Sequence, residues 1–295
     1  MKQNTLVENE TEQAIREFPI PAAPSLPNIQ NIKAAHKATW SSGDFGQIAR
    51  SVEEFAGEFM SRLPLKPGLR VLDAACGTGN LALLAARCGC HVCGVDIAPN
   101  LIAQARNRAA AEKLPIQFLE GDAEALPYGD AEFDLAVSSF GVMFAPRPNL
   151  VASELHRVTK PGGTIALASW TLEGFIGEMF KVFKKHLPPP PAGIPSPMEW
   201  GREETVRARL AEGFTNVRLT RRIARMRYPI PPAETVEFFR KYYGPTLKAF
   251  ASLEAPAQAA LQRELVELQT SHNQSTTSGA TEVAAEYLEV IATRS

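Results

Sequence analysis

Val71-Leu72-Asp73-Ala74-Ala75-Cys76-Gly77-Thr78-Gly79-Asn80 is the stretch that decides the fold: a short apolar run stops on two glycines, and Asp96 follows 17 positions beyond Gly79. The run Arg70 to Ala75 reads as a buried strand and Asn80 to Cys88 as a helix, so the glycines occupy a strand-to-helix turn. Glycine there admits positive φ and lets a ligand approach the backbone, because no Cβ intervenes. The next strand, His91 to Asp96, ends on an acid, and a carboxylate at a strand tip suits the two hydroxyl donors of a ribose. The layout is that of a nucleotide crevice at the carboxyl ends of parallel strands.

Working outward, a helix is expected at Pro99 to Lys113 and a third strand at Ile116 to Leu119. A fourth strand follows at Phe133 to Ser138, a helix at Asn149 to Val158 and, after the turn Lys160-Pro161-Gly162-Gly163, a fifth strand at Thr164 to Ser169. Strands that alternate with helices, each strand a nearly continuous apolar run, imply an α/β chain with a parallel sheet covered on both faces. Further along, helices are expected near 174–186 and 202–212, a strand near 215–228, helices near 233–251 and 255–270, and a last strand near 284–292. That strand is expected to pair antiparallel with the 215–228 strand. Upstream, a helix is expected from Gln47 to Arg62, and Pro19, Pro21, Pro24 and Pro27 make the first residues a loose arm.

The domain reading is a flexible arm at 1–30, an N-terminal helical lid at 31–65 and a cofactor core at 66–170. In 171–295, cap helices (about 171–212 and 232–275) interleave with the last two strands. With 31 Lys+Arg against 32 Asp+Glu, the chain of 295 residues has a net charge of −1 and no field to steer nucleic acid. No stretch approaches the roughly 20 apolar residues of a membrane-spanning helix. Met1 to Gln13 lacks a basic start and apolar run, so a cytoplasmic protein without membrane insertion is expected. Oligomeric state stays open.

Several features invite sharper readings. Cys76, Cys88, Cys90 and Cys93 are the only cysteines; Cys90-His91-Val92-Cys93 has no second pair, so no metal site is expected, and Cys93 reads as a small buried hydrophobe. Arg218, Arg221, Arg222, Arg225 and Arg227 read as the solvated face of an exposed strand, with an anionic substrate as the alternative. Asp134 reads as a capping residue at a strand start. His36, His156, His186 and His272 are candidate bases, and no catalytic residue is assigned.

Gly77-Thr78-Gly79-Asn80-Leu81-Ala82 also satisfies the G-x-G-x-x-(G/A) pattern of nicotinamide dinucleotide sites, which leaves an NAD(P)-dependent oxidoreductase open. Asp73 weighs against it, since a carboxylate at the mouth of the loop would repel a pyrophosphate and attract an ammonium and a sulfonium. The sequence resembles the class I S-adenosylmethionine-dependent methyltransferases, in flavour the small-molecule enzymes that include the ubiquinone and menaquinone C-methylases. Asp73-x-x-x-Gly77-x-Gly79, Asp96, Gly121-Asp122-Ala123 with Leu126-Pro127-Tyr128, Phe133-Asp134-Leu135-Ala136-Val137-Ser138 and Arg157 to Gly163 carry the resemblance, in order.

The resemblance implies a Rossmann-like, doubly wound, mainly parallel seven-stranded sheet with an antiparallel last strand and helical cap insertions. It implies S-adenosyl-L-methionine as cofactor and methyl transfer to a small-molecule acceptor. By it, Gly77 and Gly79, with Ala75 in the same loop, pass under the methionine portion. Asp73 holds the amino group, Asp96 binds the ribose, Ile97 packs on the adenine, and Asp122 with Ala123 reads its edge. Ser139 and Phe140 flank the transferable methyl, and Trp40, in Trp40 to Phe45, closes over the cofactor. A non-methylating protein that binds the same cofactor would show the same landmarks. An apolar or aromatic acceptor is expected against Trp40, Phe45, the Phe140 to Phe144 loop, Trp170 and the cap aromatics Trp200, Phe238, Phe239, Tyr242 and Tyr243.

Overall fold

A computed structural model describes residues 28–295; most of the 1–30 arm therefore lies outside the described residues. The strands are β1 Arg70–Ala74, β2 His91–Asp96, β3 Gln117–Glu120, β4 Phe133–Ser139, β5 Thr159–Trp170, β6 Phe214–Tyr228 and β7 Thr281–Arg294. They form one seven-stranded sheet in the order β3-β2-β1-β4-β5-β7-β6. The first five pair in parallel, and β7 runs antiparallel to both β5 and β6. This is the Rossmann-like doubly wound sheet with its reversed last strand. After β3 the chain crosses to the other side of β1 to lay down β4, so the switch point lies between β1 and β4, where such sheets open a crevice.

The helices are α1 Ile29–Trp40, α2 Phe45–Ala49, α3 Glu53–Ser61, α4 Asn80–Arg87, α5 Pro99–Ala111, α6 Pro148–Val158, α7 Phe175–His186, α8 Glu203–Leu210, α9 Pro232–Tyr242, α10 Gly244–Ala251 and α11 Ala255–His272. The core is the sheet interior: Val71, Leu72, Leu135, Val137, Ile165 and Leu167 are all buried, on the central strands β1, β4 and β5. Those continuous apolar runs are buried because helices cover the parallel strands.

The structure departs from the sequence reading where local chemistry breaks a periodic pattern. Helix α1 begins at Ile29, inside the stretch read as arm, because Asn28 caps it by accepting from the Gln30 and Asn31 N–H groups. The single helix expected at 47–62 is α2, a 3-10 turn Arg50–Val52 and α3, with Val52 out of helical geometry at φ −114° and ψ 13°. The Ser51 hydroxyl turns back to the Ile48 carbonyl at that break and accepts from Tyr228.

Strand β5 starts at Thr159, five residues early, and carries Gly162 at φ +75° through a register irregularity opposite Phe133 and Leu135. The helix expected at 233–251 splits into α9 and α10, since Pro245 has no N–H to continue a helix. A 3-10 turn, Pro197–Gly201, precedes α8 and was not foreseen. The last strand reaches Thr281 and Arg294, beyond the 284–292 expected, because β6 pairs with it along nearly its whole length.

The arginines of β6 face glutamates of β7: Arg222 bonds Glu289 at 2.9 Å, Arg221 bonds Glu286 at 3.0 Å, and Arg225 and Arg227 share Glu282, each at 2.9 Å. These four arginines are neutralised by their glutamates on a partly exposed edge, which leaves Arg218 single among the described residues and no cluster of free cations to hold an anion. Asp134 accepts from the Arg70 N–H and the Lys160 ammonium, and this pairing holds its carboxyl below the usual range. Cys93 is only half-buried and Cys90 is the buried one, a correction to the sequence reading. Their thiols point to different partners, Gln117 and the Lys66 carbonyl.

Candidate active site

The floor of the crevice is made where β1 and β4 end. Ala75, after β1, and Phe140, after β4, are non-glycine residues at φ 53° and 56°, a left-handed geometry that costs energy and persists only where the surroundings enforce it. What enforces it here is close approach: a Cβ on Gly141 would lie 2.5 Å from the Ala75 carbonyl oxygen. The Phe140 ring is locked on Trp170, with centroids 3.5 Å apart and planes within 2°. Gly77 and Gly79 complete the turn at φ 54° and 82°.

Asp73 is 1% exposed and sits behind this turn. Gly79 is the N-cap residue of α4 and has no side chain to cap it; the Asp73 carboxyl does so from β1, accepting from the Ala82 N–H at 3.0 Å. Burial, opposed by that N–H and assisted by the nearby Asp96 charge, pushes its pKa to about 8. Asp73 is therefore largely neutral at pH 7 and does not line the crevice. This corrects the expectation of a charged group at the loop mouth, and removes the electrostatic ground on which a pyrophosphate was disfavoured. Gly79 also lies off the crevice wall, because its φ serves the turn and its α-carbon packs toward Phe118.

Trp40, Ala75, Gly77, Asp96, Ile97, Asp122, Ala123, Ser139 and Phe140 do line one cavity, together with side chains from α1. The cavity encloses about 1010 Å³ of empty space, part of it open to solvent, large enough for a nucleoside-sized ligand and a small partner. Asp96 is 7% exposed; one carboxylate oxygen accepts from the Gly77 N–H at 2.8 Å and the other from the Ala98 N–H at 2.9 Å. It thus ties the turn to the start of α5, and each oxygen keeps a lone pair for a hydroxyl donor. Burial raises its pKa against those N–H groups.

Asp122 accepts from the Glu124 N–H with one oxygen and from the Lys33 ammonium with the other. Lys33 also pairs with Glu124 at 2.6 Å, and the Glu124 carboxylate, with no exposed side-chain surface, takes the Arg147 Nε–H at 2.7 Å. These contacts dock α1 as the roof. Trp40 closes its far end, edge-on to Phe45 at 5.6 Å and to Phe144 at 4.9 Å. Lys33, His36 and Trp40 recur at helical spacing, a face inside the expected 31–65 lid, where the sequence reading places a helix only from Gln47 onward.

The cap contributes no wall. Trp200 is 1% exposed and packed against Arg209, Trp170 backs Phe140, and Phe238, Phe239, Tyr242 and Tyr243 form an aromatic cluster beside Trp40. These residues support the site from behind, correcting the expectation that they contact an acceptor. Of the candidate bases, only His36 faces the cavity. His156 packs on Phe214, while His186 and His272 pair with Glu264 and Glu178 at 2.8 and 2.9 Å. Among the described residues no three His, Cys, Asp or Glu side chains are grouped to hold a metal ion.

A family model described as a methyltransferase domain matches residues 71–163, the segment from β1 to the irregularity of β5. An uncharacterized protein of Mycobacterium tuberculosis is 39% identical over 242 residues, covering 81% of this chain and 88% of that protein. The malonyl-[acyl-carrier protein] O-methyltransferase of Pectobacterium atrosepticum is 33% identical over 148 residues, 48% of this chain and 56% of the enzyme. Among solved structures, Haemonchus contortus phosphoethanolamine N-methyltransferase 2, in complex with phosphomonomethylethanolamine and S-adenosylhomocysteine, superposes with a TM-score of 0.53 at 20% identity, covering 82% of this chain and 52% of that one.

Proposed function

We propose that this chain, which carries a methyltransferase domain over residues 71–163, is a class I S-adenosylmethionine-dependent methyltransferase with S-adenosylmethionine as its cofactor, and that it methylates a small, neutral, largely apolar acceptor. The residues fit the cofactor: Asp96 presents spare lone pairs at the crevice wall, and the backbone at Ala75 and Gly77 is bent so that no side chain blocks the floor. Asp96 would hold the ribose hydroxyls, Ile97 would pack on the base, Asp122 with Ala123 would read its edge, and Ser139 and Phe140 would flank the transferable methyl. The bound cofactor supplies an activated methyl on a sulfonium. The chain's own part is alignment and exclusion of water, which α1 and Trp40 provide by roofing the cleft.

The observation that carries the acceptor class is the charge of the walls. Lys33 is the only cation lining the cavity among the described residues, and it is consumed by Asp122 and Glu124. A carboxylate or phosphate acceptor would find no free counter-charge. The rest of the acceptor side is Trp40, Phe45, Val52, Phe140, Val142 and Phe144, which favours an apolar or planar molecule. In this reading residues 66–170 are the cofactor core, 31–65 the lid and 171–295 a buttress that holds the lid's aromatic end.

No helix among the described residues is long and apolar enough to cross a membrane, and the proposed setting is the cytoplasm. The test is twofold. Calorimetry should show S-adenosylmethionine and S-adenosylhomocysteine binding that Asp96→Ala weakens by about 100-fold, and methyl-labelled cofactor incubated with an extract of small metabolites should pass its label to a neutral product. Binding without any transferred label would reduce the protein to a cofactor-binding module.

A further inference from the structure

Five ionisable side chains line the cleft: Lys33, His36, Cys76, Asp96 and Asp122. Four are committed. Asp96 accepts from Gly77 and Ala98, Asp122 from Glu124 and Lys33, and Lys33 is shared between two carboxylates. Burial, assisted by the nearby Asp96 charge, pushes the Cys76 thiol well above its ordinary range and leaves it without thiolate character. His36 is the one basic group of the five without a side-chain hydrogen-bond partner among the described residues. The backbone carbonyl of Phe144 lies near the ring, and a neutral imidazole keeps one nitrogen as a bare lone pair.

His36 lies on the roof between the carboxylates that Lys33 grips, one turn before it on α1, and Trp40, one turn after. Trp40 in turn meets Phe144. The ring therefore lines the cavity between its carboxylate end and its aromatic end, beside the side where the acceptor is proposed to sit. We infer that His36 is the general base of the reaction, and that the acceptor is a neutral molecule bearing an O–H or N–H that is lost on methylation, such as a phenol or enol. This rests on the methyl-transfer reading above.

In the step, the imidazole nitrogen takes the acceptor's proton while the acceptor's oxygen or nitrogen lone pair forms the new bond to the methyl carbon. The electron pair of the broken carbon–sulfur bond stays on sulfur, leaving a neutral thioether and an imidazolium that returns its proton to solvent after release. Glu124 is the charged group that acts on the ring, and it is itself paired with Lys33 and Arg147; Lys33 and Lys37 lie on His36's own helix, and the 142–144 turn brings the Phe144 carbonyl. Burial lowers the imidazole pKa and outweighs the opposing Glu124 charge, so the ring is neutral and ready to accept a proton at pH 7.

The experiment uses the full chain, labelled S-adenosylmethionine and the small-metabolite extract, with the labelled product identified. The label is expected on oxygen or on a nitrogen that had carried hydrogen. His36→Gln should slow transfer by roughly 100-fold or more, while S-adenosylhomocysteine binds as to the wild type. The wild-type rate should rise with pH through a point below 6.5, and the variant should recover only at alkaline pH, where the acceptor ionises unaided. Added imidazole should partly restore His36→Ala; α1 has no buried residue, so neither variant threatens the fold. Label on carbon or on a thioether sulfur, or a His36→Gln rate equal to wild type across the pH range, overturns the inference while leaving methyl transfer intact. No labelled product from the wild type overturns the methyl-transfer reading first, and the base with it.

Discussion

On the floor of the cleft, Asp96, Gly77, Ala75 and Gly141 are held by buried backbone contacts and by the ends of two central strands. On the roof, α1 has no buried residue at all and is held by Lys33, Lys37 and the edge of Trp40. Both enclose the same cavity. The difference assigns them different tasks: the floor fixes geometry at a cost in strain and buried charge, and the roof can be released at little cost to the fold. Local stability follows buried contact, so elements like α1 are the ones that open to admit ligands.

The contrast breaks most sharply at Asp96. Asp96→Ala should weaken S-adenosylmethionine by about 100-fold, the worth of two hydrogen bonds to a charged group at roughly 1.5 kcal/mol each; calorimetry reads it, and an unchanged affinity would remove the floor from cofactor binding. Next comes Gly141→Ala, whose Cβ would meet the Ala75 carbonyl at 2.5 Å. Both strand ends must then move, lowering stability by about 1–3 kcal/mol in denaturant unfolding and loosening the cofactor.

Asp73→Asn tests the floor's buried charge. A carboxyl whose folded pKa is raised to about 8 binds its proton more tightly folded than unfolded. Its contribution to stability is therefore full at low pH and falls as pH climbs from the ordinary carboxylate range toward 8. The amide has no such dependence, so the melting temperature of the variant relative to wild type should rise between pH 5 and pH 8; a constant difference would show that Asp73 is ionised in the fold.

On the roof the effects shrink. Lys33→Ala should weaken cofactor binding by about tenfold, since one partly buried pair is worth on the order of 1 kcal/mol, with the melting temperature hardly moved. Lys37→Ala removes an exposed pair with Glu120 and should cost less than about 1 kcal/mol. If either lysine destabilised the fold as much as Gly141→Ala, the roof would have to be counted as core.

The floor was legible because its chemistry is local. Two glycines after an apolar run, and an acid at the end of the next, fall within 26 consecutive residues, 71–96, and each residue type answers a backbone or hydroxyl requirement at its own position. Nine of the eleven cofactor residues expected from the sequence line the cavity. Asp73 and Gly79 do not, and the reason is that spacing along a chain says which residues share a turn but not which side of the turn they face. The roof was half legible: Trp40 was expected, Lys33 was not, because its partners Asp122 and Glu124 lie about ninety positions away.

The sequence by itself determined the parallel sheet, the glycine turn and the acid at the tip of β2, since hydrophobic periodicity and glycine's freedom act within a few residues. Tertiary structure alone decided that Asp73 is a buried cap without exposed charge, that the cap aromatics buttress the site without lining it, and that His36 is the one of the four candidate histidines that lines the cleft. Each of these depends on which distant segment packs against the residue, and so on burial and partner. Those two quantities fix the pKa and availability of a side chain, and neither is written in its neighbours along the chain.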